Sequence, residues 1–279
     1  MKSPLRKKTS RKAKKNPVKK MIQHGDADSK AVRKNKYLKE VLKLKSTIPH
    51  WNDLFGESAD DSRLDEWVRI EVLGEPLAKK YAWAIPDERA LTILSNFSPL
   101  VEVGCGKGYW CSLLRERKVD ILSYDQFIQK SSWISVLKGG PKCLLNQPNK
   151  DRNLFLCYPD ETSNVGYRCL HHFSGQYVIH VGELIHTGTY NGSDQSPWGR
   201  TSSSDFQVKL SQLFHCLLYV RLPSFPFSND YLSVWKRSRV ISADNNESEE
   251  EQEPDLWRHI PPDERLPDVC APCLQHLLK

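Results

Sequence analysis

The chain has 279 residues, 39% of them apolar and 10% aromatic, which is enough to bury a sizeable core and excludes a wholly disordered chain. Its net charge of +7 is uneven: residues 1–45 carry 17 Lys/Arg against 3 Asp/Glu, whereas elsewhere 24 Lys/Arg face 31 Asp/Glu. The basicity belongs to a tail, and the mildly acidic body gives no support to nucleic-acid binding by the folded surface.

No run of about 18 apolar residues is present, so no transmembrane helix and no membrane partner are expected. No charged-then-apolar leader opens the sequence, which leads to the expectation of an intracellular protein, cytoplasmic or nuclear. The eight cysteines are then expected to be reduced thiols, most of them in apolar runs.

Residues 1–36 read as a basic, solvated, disordered tail. Such a block suits import machinery, a nucleic-acid tether or a generic soluble tail. Residues 37–78 read as a helical extension. A helix over 29–45 has an apolar face of Val32, Leu38, Val41 and Leu42, and one over 65–73 docks Trp67, Ile70 and Leu73. Residues 79–238 form the main domain. It opens with Tyr81 to Pro86 and then a helix that Asp87 caps.

Beyond that helix, strands over 100–103, 121–124, 142–145, 154–158 and 177–181 alternate with helices over 110–118, 131–137, 164–173 and 205–214. This alternation implies an α/β fold, a doubly wound, mostly parallel sheet with helices on both faces. Two more runs, 215–222 and 231–236, are joined by a turn-rich segment and should pair antiparallel, giving seven strands. An acidic linker covers 239–256, and 257–279 is expected to dock back as a short helix through Leu274, Leu277 and Leu278.

The chemistry concentrates after the first strand, in Glu102-Val103-Gly104-Cys105-Gly106-Lys107-Gly108. Glycines let the backbone turn sharply with no Cβ in a ligand's way, and the next helix presents free N–H groups. The third glycine of the dinucleotide fingerprint is missing: Tyr109 or Cys111 stands there. Glu102 would repel a pyrophosphate and would suit a ligand with a cationic end. Asp125 ends the second strand, 21 residues after Gly104, close to the spacing at which an acid meets ribose hydroxyls.

On these residues the chain resembles the class I S-adenosylmethionine-dependent methyltransferases, over roughly residues 80–238. The resemblance implies strand order 3-2-1-4-5-7-6 with the last strand antiparallel, and S-adenosylmethionine as cofactor. It places Gly104, Cys105, Gly106 and Gly108 along the cofactor's aminocarboxyl end with Glu102 nearby. Asp125 is placed on its ribose and Asn146 near its adenine. The acceptor should lie at the ends of the fourth and fifth strands. Relatives that methylate amino groups of nucleobases or glutamine carry an Asp/Asn-Pro-Pro-aromatic motif there. This chain has Cys157-Tyr158-Pro159-Asp160, which argues against that substrate class.

Methyl transfer from a sulfonium needs alignment and exclusion of water, and a base only if the acceptor must lose a proton. The candidate bases are Glu183 and His186 past the fifth strand, with Asp160 as a third, though Asp160 reads first as a turn residue capping the next helix. His180 reads as a core histidine and His171-His172 as surface. Trp198 and Arg200, in a long polar loop over 187–204, are the candidate substrate-binding residues. Cys270, Cys273 and His276 supply only three ligands, so no metal is expected. The acceptor stays open among protein, nucleic acid and small molecule. The rival readings are a catalytically inactive methyltransferase-like scaffold and a tail-driven nucleic-acid-associated protein.

Overall fold

The computed structural model describes residues 35–55, 61–184, 201–239, 259–267 and 269–279. The chain opens with α1 (Lys36–Lys45), α2 (Asp61–Lys80) and α3 (Glu88–Asn96). The alternating part follows: β1 (Leu100–Val103), α4 (Tyr109–Glu116), β2 (Ile121–Asp125), β3 (Leu137–Lys138), β4 (Asn153–Cys157), α5 (Val165–His172), β5 (Tyr177–Gly182) and α6 (Ser204–Leu213). It ends with β6 (Phe214–Arg221) and β7 (Tyr231–Arg237). The sheet order is β3-β2-β1-β4-β5-β7-β6, with β7 antiparallel to both its neighbours, as expected.

The central strands are apolar on both faces because helices cover both. Leu100 of β1 and Phe155 and Ile179 of β4 and β5 pack with the N-terminal helices; Val101, Leu154 and Val178, pointing the other way, pack with α5 and α6. Helix ends follow local chemistry. The Asp87 carboxylate accepts the Ala90 N–H at 2.7 Å to start α3, and the Ser203 hydroxyl accepts that of Phe206 to start α6.

Two expected elements are absent. The third strand does not lie at 142–145, where Pro141 at the first position favours a 3-10 helix, Pro141–Leu145, that buries Cys143 and Leu144. The strand that pairs with β2 is only Leu137–Lys138, a short edge. Nor is 131–137 a helix. There the Trp133 backbone N–H donates to the Lys107 carbonyl at 2.8 Å and its indole N–H to the Lys80 carbonyl at 3.1 Å, so tertiary bonds replace a helical ladder.

The N-terminal extension shares one core with the sheet. Tyr37, Leu38, Val41 and Leu44 of α1 are buried against it, whereas Leu42, expected on that face, is 49% exposed. Ile70 of α2 is fully buried and Trp67 packs beside the core, but Leu73 faces solvent. Helix α2 also runs well beyond 65–73, carrying Pro76 within it. At the other end, the chain near Cys270 adds to the edge of β6: the Tyr219 N–H donates to the Val269 carbonyl and the Ala271 N–H to the Leu217 carbonyl. A 3-10 helix, Pro272–Leu277, then buries Leu274 and Leu277. Most of 1–36, and most of the linker 239–256, lie outside the described residues. No helix among the described residues is long and apolar enough to cross a membrane.

Candidate active site

The glycine loop is tied to β2 by three backbone N–H groups. Gly104 and Cys105 donate to the Tyr124 carbonyl at 2.8 and 3.1 Å, and Gly106 donates to Asp125 Oδ2 at 2.8 Å. Gly104, Gly106 and Gly108 all have positive φ, at 82°, 54° and 73°. Their surroundings differ. A Cβ on Gly104 or Gly106 would meet no atom of the described residues within 4 Å, so among these residues this side of the loop is open. A Cβ on Gly108 would come within 2.6 Å of Ile134 Cγ1, and the Gly108 N–H already donates to the Cys105 carbonyl at 2.8 Å. Gly108 is the turn into α4, and the wall facing the opening is Gly104 to Gly106.

Asp125 stands at the end of the neighbouring strand. Its Oδ2 accepts the Gly106 N–H and its Oδ1 the Phe127 N–H, each at 2.8 Å. One bond to each oxygen leaves further lone pairs on both, so the carboxylate is oriented without being saturated. Glu102 lies lower. It is buried beneath the loop, and the Cys111 thiol donates to its Oε2 at 2.6 Å. Burial pushes the Glu102 carboxyl up to about 7, and the nearby Asp125 charge adds to the effect. Cys105 is partly exposed, with its thiol pushed upward chiefly by burial. Asn146 follows a 3-10 helix instead of a strand and is exposed.

The N-terminal segment covers this region. Tyr109, directly after Gly108, accepts the Tyr37 N–H and donates to Asn35 Oδ1, both at 3.1 Å. Asn35 in turn caps α1 through the Leu38 N–H and donates to the Pro86 carbonyl at 2.7 Å. The Tyr37 and Tyr81 rings stack at 4.9 Å, and Tyr81 stacks on Trp133 at 5.2 Å. The stretch 81–86 is thereby held against the loop, and the Trp110 indole N–H donates to the Ala84 carbonyl at 3.2 Å.

The expected acceptor side is built by strand register. Glu102 of β1 pairs with Phe155 of β4, which sets Gly104 level with Cys157. Cys157 pairs with Val181, and the Tyr158 N–H donates to the Val181 carbonyl at 2.9 Å. Gly182 pairs with Tyr231 of β7, so Glu183 and Asp230 face each other just past the last pair. Strands lie about 4.8 Å apart, so across the sheet Glu183 sits roughly 10 Å and Asp230 roughly 14 Å from Gly104.

Asp230 is buried and its Oδ1 accepts the Tyr158 hydroxyl. Burial, with Glu183 nearby, pushes its carboxyl up to about 7. Glu183 Oε1 accepts the Asn229 N–H at 2.7 Å, and burial raises its carboxyl too. Tyr158 and Asp230 were not among the residues the sequence pointed to; the one signal was their place next to strand ends.

Asp160 turns inward on its own loop. Its Oδ1 accepts the N–H and the hydroxyl of Thr162, which holds its carboxyl below the usual range despite some desolvation. Cap position at α5 belongs to Asn164 instead. His180 is fully buried. His186, Trp198 and Arg200 lie outside the described residues. All eight cysteines are free, and the Cys270 thiol faces the Ala271 carbonyl at 3.2 Å while His276 is exposed. Among the described residues no group of three or more His, Cys, Asp or Glu is placed to hold a metal.

The strand order, the antiparallel β7 and the glycine loop after β1 are the architecture of the class I methyltransferase fold. No sequence-family profile and no curated protein sequence matches the chain. Among solved structures it is similar to magnesium protoporphyrin IX methyltransferase from Synechocystis PCC 6803 with bound SAH, at 11% identity and a TM-score of 0.35, over 73% of this chain and 100% of that one. It is also similar to the pyocyanin biosynthetic protein PhzM, at 16% identity and a TM-score of 0.40, over 76% and 71%. Human N-acetylserotonin methyltransferase in complex with SAM gives 12% and 0.36, over 76% and 65%.

Proposed function

We propose that this protein binds S-adenosylmethionine at the open face of Gly104–Gly106 and transfers its methyl group to an acceptor. The observation that carries the reading is the left-handed pair Gly104 and Gly106, with no atom of the described residues within 4 Å of their missing Cβ positions, beside a carboxylate one strand away. The residues present suit the cofactor. The loop leaves room for backbone approach, and Asp125 retains lone pairs for two hydroxyl donors. Glu102, beneath the loop, supplies negative potential for a cationic centre.

When bound, the cofactor supplies an activated methyl carbon on a sulfonium. The chain's residues then position and exclude water. The Tyr37, Tyr81, Tyr109 and Trp133 rings form an apolar cover next to the loop. Glu183 and Asp230 are the groups at the expected acceptor side able to take a proton.

Calorimetry of the purified chain with S-adenosylmethionine and S-adenosylhomocysteine tests the reading. Binding is expected, and Asp125→Ala should weaken it by about 1–3 kcal/mol, the size of a lost charge-assisted hydrogen bond. A wild-type chain that binds neither compound refutes the proposal.

A further inference from the structure

The acidic balance of the body hides a local excess of the opposite sign. From Gln126 to Lys150 the chain carries four lysines and no acid. The first part of this span, 126–138, runs beside the glycine loop. Its Phe127 N–H donates to Asp125 Oδ1 at 2.8 Å, and Asp125 Oδ2 accepts the Gly106 N–H. Its Trp133 N–H donates to the Lys107 carbonyl at 2.8 Å. At its end Lys138 pairs with Asp125 in the β2–β3 register. The Lys107 ammonium in turn donates to the Lys79 carbonyl at 2.5 Å, at the carboxyl end of α2. The mouth of the candidate cofactor site is thereby bordered by Lys107, Lys130 and Lys138, with Lys79 and Lys80 behind them. The last two pair with Glu75 and Glu40. Among the described residues Lys107, Lys130 and Lys138 are in no ion pair. Asp125 adjoins them, but its oxygens are turned to the Gly106 and Phe127 amides.

Where this border is not charged it is apolar. Phe127 is 79% exposed, Ile128 52%, Leu137 41% and Trp133 37%. Large apolar side chains left together in water mark a contact surface. Trp133 is also fixed in place. Tyr37 stacks on Tyr81 and Tyr81 on Trp133, at 4.9 and 5.2 Å with interplanar angles of 14° and 15°. Tyr109 meets the Trp133 ring edge-on, and the indole N–H is tied to the Lys80 carbonyl at 3.1 Å. The stack begins on the buried Tyr37 and ends on a ring that solvent reaches. Such a ring is a platform for another flat ring, and lysines around it are partners for anionic groups.

We infer that this face, built from Phe127, Trp133, Lys107, Lys130 and Lys138, binds a single-stranded nucleic acid across the mouth of the candidate site. Bases stack on Trp133 and Phe127, and phosphates lie against the lysines. A duplex keeps its bases stacked inside and presents its phosphates alone, so only a single strand makes both contacts. An anionic membrane would match the lysines and Ile128. A lipid anchor, however, is a projecting apolar side chain, whereas Trp133 is held flat by Tyr81, Tyr109 and the Lys80 carbonyl. The inference concerns binding and goes beyond the methyltransferase reading. It assigns that binding to the folded face instead of the basic tail.

The test uses the full chain, so that the tail contributes equally to every variant. Anisotropy reads the affinity for oligouridylate, oligodeoxythymidylate and a duplex, each of about 16 nucleotides per strand. Single strands are expected to bind wild type at least about tenfold more tightly than the duplex, with the tighter of the two telling RNA from DNA. Phe127→Ser should weaken single-strand binding about fivefold, the loss of one stacked base. Lys130→Gln combined with Lys138→Gln should weaken it about tenfold and flatten the slope of log affinity against log salt by about 1.4, two phosphate contacts. The substituted side chains are exposed, so melting temperature and affinity for S-adenosylhomocysteine should stay near wild type. If the variants bind single strands as wild type does, the tail carries the binding and the inference is overturned. It is overturned as well if wild type binds no oligonucleotide, or binds the duplex as tightly as the single strands. The same holds if Phe127→Ser abolishes sedimentation with phosphatidylserine–phosphatidylcholine vesicles and leaves oligonucleotide affinity unchanged. Binding of S-adenosylhomocysteine, measured on the same samples, judges the methyltransferase reading separately.

Discussion

Gly104 and Gly108 share a left-handed backbone but answer to different constraints. At Gly104 an added methyl would project into open space, whereas at Gly108 it would strike Ile134. Gly104→Ala should therefore cost only the conformational strain, about 1–2 kcal/mol, yet lose affinity for S-adenosylhomocysteine. Gly108→Ala adds a clash and should lose roughly 2–5 kcal/mol in urea denaturation. His180 is the other telling residue. Both its ring nitrogens are buried without partners among the described residues, and burial lowers its pKa from 6.5 to about 3. The unfolded chain therefore binds more protons between those values, so this residue's contribution falls as pH drops from 6.5 towards 3. His180→Leu is expected to flatten the acid limb of the stability profile, read as melting temperature from pH 7 to 4.

At the scale of elements, α1 is the piece whose place matters most. Its start is a single knot: Asn35 caps the helix, bonds Pro86 and receives Tyr109. At its middle, Glu40 accepts the Tyr81 hydroxyl at 2.6 Å and pairs with Lys80 at 3.0 Å. The exposed Lys80 pair adds little, but the Asn35 bonds are buried. Asn35→Ala should cost about 2–3 kcal/mol and release α1 from the glycine loop. Hydrogen exchange of the Tyr37 and Leu38 amides would report that release directly. A variant that keeps their protection would show that α1 is held by its apolar face alone.

For the molecule as a whole, the candidate site is bought with electrostatic cost. Asp230, like Glu102, has a carboxyl raised to about 7 from an ordinary value of 3.8 or 4.5. A folded state with a raised carboxyl binds more protons than the unfolded one, so stability from these groups falls as pH climbs from about 4 to 7. Asp230→Asn should thus melt higher than wild type at pH 8 and equally at pH 4, in ligand-free protein. Equal melting at both values would mean that Asp230 is already compensated in the fold.

Most of the architecture was legible in the amino-acid order. Period-two apolar runs located six of the seven strands, and glycine spacing located the loop, because both signals are local. Asp125 was legible for the same reason: it ends an apolar run at a countable distance. The third strand and the helix expected over 131–137 were misread where long-range bonds from Trp133 and the start imposed by Pro141 outweighed propensity. The charged face that Asp230, Glu183 and Tyr158 compose was not legible at all, nor was the buried hydroxyl of Tyr37, which has no hydrogen-bond partner among the described residues. These residues are separated by up to 193 positions and meet only through the β5–β7 register and the docking of α1. Sequence by itself determined six of the strands and the bend beside Asp125, while their order came only with the family resemblance. Tertiary packing alone decided which side chains look into that opening, since burial and proximity are properties of the folded chain and of no segment within it.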